Sequence, residues 1–148
     1  LAQNPLLQKQ VPPGSILTPH PKELERWVGP WQGDQEKIEK VKSLSADLKA
    51  IVVLKGAYTM IAFPEGTFWF NSTGNPGMAT AGCGDVLTGI IGSLLAQGYV
   101  PKEAAIIGVF IHGFAGDIAA KKQGKRAVIA SSIVEYIPMA FKSLEINT

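Results

Sequence analysis

Between Asn75 and Gly89 the chain reads Asn-Pro-Gly-Met-Ala-Thr-Ala-Gly-Cys-Gly-Asp-Val-Leu-Thr-Gly, four glycines in fifteen residues with a single acid, Asp85. The acid falls where the glycine-rich part gives way to an apolar segment. A helix that starts here leaves its first N–H groups unpaired, and its dipole favours an anion. Gly82 and Gly84 let backbone approach that anion with no Cβ in the way, and the Thr80 hydroxyl can add a donor. Asp85 has no business binding an anion, because like charges repel. A carboxylate beside an anion cradle fits a base that takes a proton from an attacking hydroxyl, which is phosphoryl-transfer chemistry. The bland alternative is a glycine-rich turn with Asp85 as a helix N-cap. The run is not a Walker A loop, since no Gly-Lys-Ser/Thr follows. A dinucleotide fingerprint would need a strand just before it, and Asn71–Gly77 is loop.

The surrounding elements must place that run. Val11–Gly14 is a turn leading into a short strand, Ser15–Leu17. Thr18-Pro-His-Pro21 is a loop stiffened by two prolines, which holds His20 in place. Pro21 then opens a helix toward Val28. Gly29–Gly33 breaks the chain, and Gln35–Leu48 has Ile38, Val41, Leu44 and Leu48 on one face, an amphipathic surface helix. Ile51–Leu54 reads as a buried parallel strand, ended by Lys55-Gly56. Tyr58–Ala62 and Thr67–Phe70 form a hairpin through Pro64–Gly66. Asp85–Ala96 is a largely buried helix closed by Gly98. Pro101 opens another that runs to about Lys122. Ser131 or Ser132 caps a last helix with Ile133, Ile137 and Phe141 inward. Strands alternating with helices give an α/β class.

Composition bounds the rest. The chain has 148 residues, 46% of them hydrophobic and 18% charged, with a formal net charge of +2. That is enough for one domain with a core, and it shows no nucleic-acid or membrane-surface footprint. One cysteine excludes an intrachain disulfide and argues against a zinc site. No stretch is expected to reach the roughly 18 apolar residues that span a bilayer. The start, Leu1-Ala-Gln-Asn, has no initiator Met and no signal-peptide character, so a fragment and a cytoplasmic location are expected. Too few parallel strands for a complete α/β sheet point the same way.

Other reactive side chains have ordinary explanations. Cys83 sits at a helix start, where a thiol pKa can fall, but no base stands beside it, and a small filler is the better account. His112 lies in an apolar helix and reads as packed and hydrogen-bonded. Gly113 and Gly116 suggest close helix packing, with Asp117 satisfied locally. Lys55 can simply close a strand, and His20 can bond to backbone. Trp27, Trp31 and Trp69 need no functional account.

The run from Asn75 to Gly89 resembles the signature of the NAD(P)H-hydrate dehydratases. Leu17-Thr-Pro-His-Pro21 with Glu23 resembles that family's substrate-side motif, Lys55-Gly-Ala-Tyr-Thr59 its nucleotide-side motif, and His112-Gly-Phe-Ala-Gly-Asp117 its late helix. Ala81 stands where many relatives have glycine, a methyl the loop should tolerate. The resemblance implies a ribokinase-like layered sheet with helices on both faces, of which residues 1–148 would be the C-terminal portion of one domain. The implied reaction repairs NADHX and NADPHX: ADP or ATP phosphorylates the 6-hydroxyl of the hydrated ring, and phosphate elimination restores the ring. By the resemblance, Asp85 is the catalytic base and contacts substrate. The N–H groups of Ala81, Gly82, Cys83 and Gly84 form the anion hole. His20 binds the hydrated cofactor, and Lys55, Gly56, Ala57, Tyr58, Thr59 and Gly84 bind the nucleotide.

Mg2+ is expected with the nucleotide, without a dedicated metal cage. The donor is left open between ADP and ATP, with ADP favoured. Homo-oligomers, tetramers among them, and a fused or separate epimerase belong to the same expectation, which includes no nucleic-acid or membrane partner. A piece lacking half of the substrate pocket is expected to be inactive alone. Two rivals stay open: a small-molecule kinase of the same fold acting on a vitamin precursor or sugar, and a nucleotide-sensing module without turnover.

Overall fold

The computed structural model describes residues 8–145; the expectation about the first residues, Leu1 to Asn4, lies outside them. The chain divides into two compact units, one ending at Phe70 and the other starting at Asn71.

The first unit contains β1 (Ile16–Leu17), α1 (Pro21–Val28), α2 (Gly33–Leu48), β2 (Ile51–Leu54), β3 (Met60–Ala62) and β4 (Phe68–Phe70). They build one four-stranded sheet in the order β1-β2-β3-β4. The β1–β2 pair is parallel, with Ile16 beside Ile51, and the other two pairs are antiparallel. The β-branched run of β2 is buried at all four positions, as an interior strand requires. β4 ends the sheet, and its three residues are exposed. Leu24 of α1 and Val41 and Leu44 of α2 pack on Val52, Leu54, Met60 and Ala62, with Trp27 and Trp31 at the margin. The outer face of α2 carries the ion pairs Lys37–Asp34, Lys40–Glu36 and Lys42–Glu39. Such exposed pairs contribute little to stability.

Nothing in the sequence pattern marks Ser45 as a core residue. It is fully buried on α2, and its hydroxyl reaches the Ala50 carbonyl at 2.7 Å and the Ala62 carbonyl at 3.2 Å. It thus ties α2 to the chain entering β2 and to β3. Ser45→Ala is expected to cost about 1–2 kcal/mol, because two buried carbonyls lose a donor. Urea titration of the two proteins checks this.

The second unit is helical: a 3-10 turn (Pro76–Met78), α3 (Cys83–Ala96), α4 (Pro101–Gln123), a second 3-10 turn (Lys125–Ala127) and α5 (Ala130–Lys142). Leu87, Ile90, Ile91 and Leu94 of α3 are buried, as are Ala104, Ala105, Val109, Ile111, Ala115 and Ala119 of α4 and Ile133 of α5. Gly108 lets α3 and α4 touch, since a Cβ there would lie 2.6 Å from Ile91 Cγ1.

Four expectations change here. Asp85 is not the N-cap of α3; that position belongs to Gly82, and Asp85 is the third helical residue. Neither Ser131 nor Ser132 is the N-cap of α5; Ile129 is, and the Ser132 hydroxyl reaches back to accept its N–H at 3.4 Å. Gly113 and Gly116 face Thr73 and Met78 of the preceding loop rather than another helix. Finally, α4 does have the length and apolar composition of a membrane span. Half of that stretch is buried, and Asp117 and His112 within it bond to Gly74 and to Cys83 of the same unit, as in a core helix.

Candidate functional site

In the second unit, Gly82 takes a left-handed conformation (φ 84°) that turns the chain into α3. A Cβ there would also meet the Ala130 side chain at 3.1 Å. The Cys83 N–H reaches the Thr80 carbonyl at 3.4 Å, and those of Asp85 and Val86 reach the Gly82 carbonyl at 3.1 and 3.0 Å. The N–H groups of Ala81, Gly82 and Gly84 have no partner among the described residues. Gathered at the positive end of a fourteen-residue helix, they are donors of the kind that can receive an anion. Asp85 is exposed one residue further on, and its carboxylate likewise has no hydrogen-bond or ion-pair partner among the described residues.

Helix α4 holds the approach to this turn. Asp117 accepts the Gly74 N–H at 2.8 Å and the Asn75 amide at 2.9 Å. Asn75 also donates to the Gly116 carbonyl at 3.0 Å and accepts the Gly77 N–H at 3.0 Å. The Thr73 hydroxyl bonds to the Phe110 carbonyl at 3.0 Å, and His112 Nε2 lies 2.9 Å from the Cys83 carbonyl. His112 is hydrogen-bonded, as the sequence suggests, whereas Asp117 is satisfied not locally but by residues 42 and 43 positions back. What they satisfy is the loop that carries the glycines. The sequence signal was two polar residues five apart in the apolar middle of the helix.

Cys83 corrects the idea of a depressed thiol pKa. It is 5% exposed, and burial raises its pKa above that of a free cysteine, outweighing the Thr80 backbone contact. Less thiolate is then present at any pH below that value than in the unfolded chain. Iodoacetamide at pH 8 should therefore modify Cys83 far more slowly in the native protein than in urea, checked by mass spectrometry.

In the first unit, His20 is the N-cap of α1, where a serine or aspartate is commoner. Its Nδ1 accepts the Glu23 N–H at 3.2 Å, while the Glu23 carboxylate accepts the His20 N–H at 2.7 Å, a capping box. His20 Nε2 lies 3.5 Å from Glu23 Oε1, and Lys55 Nζ lies 4.0 Å from Glu23 Oε2. The Lys55 N–H bonds to the Pro19 carbonyl at 2.9 Å. Glu23 thus sits between the two motifs. Both lie at the carboxyl ends of the parallel strands β1 and β2, where open α/β sheets bind ligands. Gly56, Ala57 and Tyr58 are exposed beyond Lys55, and the Thr59 hydroxyl folds back to the Gly56 carbonyl at 3.4 Å. The structure therefore groups His20 with Lys55 in one unit and Ala81–Asp85 in the other.

The mixed four-stranded sheet of the first unit and the helices of the second are those of an α/β protein of the ribokinase-like class. The chain superposes on a ribokinase-like superfamily protein of Enterococcus faecalis with a TM-score of 0.74 at 34% identity, covering 88% and 45%. Ribokinase of Arabidopsis thaliana shares the fold at 16% identity and a TM-score of 0.51. The chain belongs to the NAD(P)H-hydrate dehydratase family, whose family model matches residues 1–139. It is 45% identical over 132 residues to the bifunctional NAD(P)H-hydrate repair enzyme of Moorella thermoacetica, covering 88% of this chain and 25% of that protein. It is 47% identical over 111 residues to the ADP-dependent (S)-NAD(P)H-hydrate dehydratase of Neisseria meningitidis, covering 74% and 38%. The ADP/ATP-dependent dehydratase of Bacillus subtilis, co-crystallised with ATP/Mg2+, superposes with a TM-score of 0.82 at 36% identity, covering 88% and 48%. The chain thus spans between a quarter and a half of these relatives.

Proposed function

We propose that the protein carrying this chain dehydrates NADHX and NADPHX to the reduced cofactors, with ADP or ATP as phosphoryl donor. The observation that carries the reading is the Asp85 carboxylate, without a partner among the described residues, next to the N–H groups of Ala81, Gly82 and Gly84, which likewise have none there. Asp85 removes the proton of the ring hydroxyl as that oxygen attacks the terminal phosphoryl group. The Ala81–Gly84 turn holds the charge that grows on the phosphoryl oxygens. Cys83 contributes backbone only. His20, oriented by its capping box, contacts the hydrated nicotinamide, and Lys55–Thr59 with Gly84 contact the nucleotide.

Among the described residues no three His, Cys, Asp or Glu side chains converge on a metal position. Mg2+ fits as an ion carried on the nucleotide phosphates, which needs few protein carboxylates. Residues 1–148 are read as the C-terminal portion of a single ribokinase-like domain. A cytoplasmic enzyme assembled as a homo-oligomer, a tetramer for example, goes with this reading. So does an epimerase, fused or separate, which the bifunctional relative's name supports.

The test is incubation of the whole protein with nucleotide and NADHX. Return of reduced-nicotinamide absorbance supports the dehydratase. A stable phosphorylated product, or no turnover, sinks it and favours a kinase or a binding module.

A further inference from the structure

The Cys83–Gly84 peptide has one side in the proposed anion cradle and the other against α4. Its N–H belongs to Gly84 and has no partner among the described residues. Its carbonyl belongs to Cys83 and meets His112 Nε2 at 2.9 Å. A carbonyl only accepts, so His112 must carry a proton on Nε2. A peptide unit is planar and trans, so its C=O and N–H point in opposite directions. Whatever fixes the carbonyl fixes the aim of the N–H.

We propose that His112 is a positioning residue for the phosphoryl cradle: by donating to the Cys83 carbonyl, it aims and polarises the Gly84 N–H. A hydrogen bond accepted at the carbonyl draws electron density from the amide and makes its N–H a better donor. The Cys83 carbonyl, first in α3, also takes the helical bond from Leu87, so the His112 bond is a second tie on it and joins the α3 terminus to the body of α4. Asp117 lies five residues on, about 7.5 Å along the axis, and holds Gly74 and Asn75. The loop is therefore pinned at both ends by one rigid element, and an open cradle needs that preorganisation. Burial lowers the His112 pKa despite the Cys83 contact, which keeps the ring neutral and avoids a second positive centre behind the helix.

This inference rests on the reading of Ala81–Gly84 as the phosphoryl cradle. The test compares His112→Phe, which keeps an aromatic ring but removes the donor, with His112→Gln, which keeps a donor near Nε2 but not the ring. Positioning predicts that His112→Phe lowers kcat about tenfold or more while nucleotide Kd stays near that of the parent protein. His112→Gln should stay within about threefold of the parent kcat. A packing role predicts the reverse order, with Phe the better tolerated. If the Phe variant does not fold, His112→Asn, whose amide falls short of the carbonyl, takes its place and should lose activity beside an active Gln variant. Equal kcat in the Phe and parent proteins overturns the proposal, as does a loss in Phe and Gln alike that follows their Tm. Asp85→Asn in the same assay separates the two failures. If it too leaves turnover intact, the cradle reading itself has failed. If it abolishes turnover while His112→Phe does not, only the positioning role has.

Discussion

Replacing Asp85 by asparagine is expected to lower kcat at least about a hundredfold while nucleotide affinity stays near that of the parent protein. The two side chains have the same shape, but an amide cannot take up the proton that leaves the attacking hydroxyl. Removing a general base typically costs that much or more. The carboxylate has no partner among the described residues, so no interaction within the fold is broken. What the fold does lose is an acid in the first turn of α3, worth about 0.3–1 kcal/mol against the helix dipole. A thermal scan should therefore show a small shift, and circular dichroism should show intact helices. The Ala81, Gly82 and Gly84 N–H groups remain, so the anion is still expected to bind. The measurement is steady-state recovery of nicotinamide absorbance from NADHX, with calorimetry for the nucleotide. An Asp85→Asn protein that turns over at the parent rate would mean the acid is only a helix-terminus residue, and the nucleotide-sensing reading would gain.

The elements that carry the site were legible because their signals are local. Pro21 at the start of α1, the β-branched run of β2, and the hairpin turn at Pro64–Gly66 each follow from short-range chemistry, and each element lies within about two residues of its expected place. The caps of α3 and α5 were missed for a common reason. Capping preferences name side chains, yet here Gly82 and Ile129 begin the helices. Gly82 does so through its left-handed backbone, and at Ile129 the helping hydroxyl lies three residues inside the helix. The partners of Asp117 and His112 were not legible, and Asp117 is not satisfied locally, because those partners lie 43 and 29 residues away. No periodicity announces a contact at that range. Gly113 and Gly116 of α4 were correctly read as points of close approach but paired with the wrong neighbour. A missing Cβ marks that something comes near without saying what.

Gly113→Ala should test that neighbour with the largest stability loss of any substitution considered. The added Cβ would lie 2.3 Å from Thr73 Oγ1 and 2.8 Å from both the carbonyl carbon and oxygen of Thr73. A side chain alone could rotate away, but backbone at 2.8 Å must move bodily. Thr73 cannot move freely, because its hydroxyl is bonded to the Phe110 carbonyl and its carbonyl accepts from the Asn71 amide at 2.9 Å. Overpacking of this kind is expected to cost about 3 kcal/mol, a fall of roughly 6–12 °C in Tm. Gly92→Ala on α3 is the control: nothing lies within 4 Å of its Cβ position, and the residue is exposed. There the better helix propensity of alanine should raise stability by about 0.5–1 kcal/mol. Adding Thr73→Ala to Gly113→Ala removes the 2.3 Å contact and leaves the two backbone ones, so it should restore only part of the loss. Full restoration would locate the conflict in the hydroxyl. No loss at all would mean that the loop leading to the glycines is not seated on α4. Because Thr73 begins the stretch that ends at the cradle, activity should fall with Gly113→Ala at temperatures where the protein is still folded.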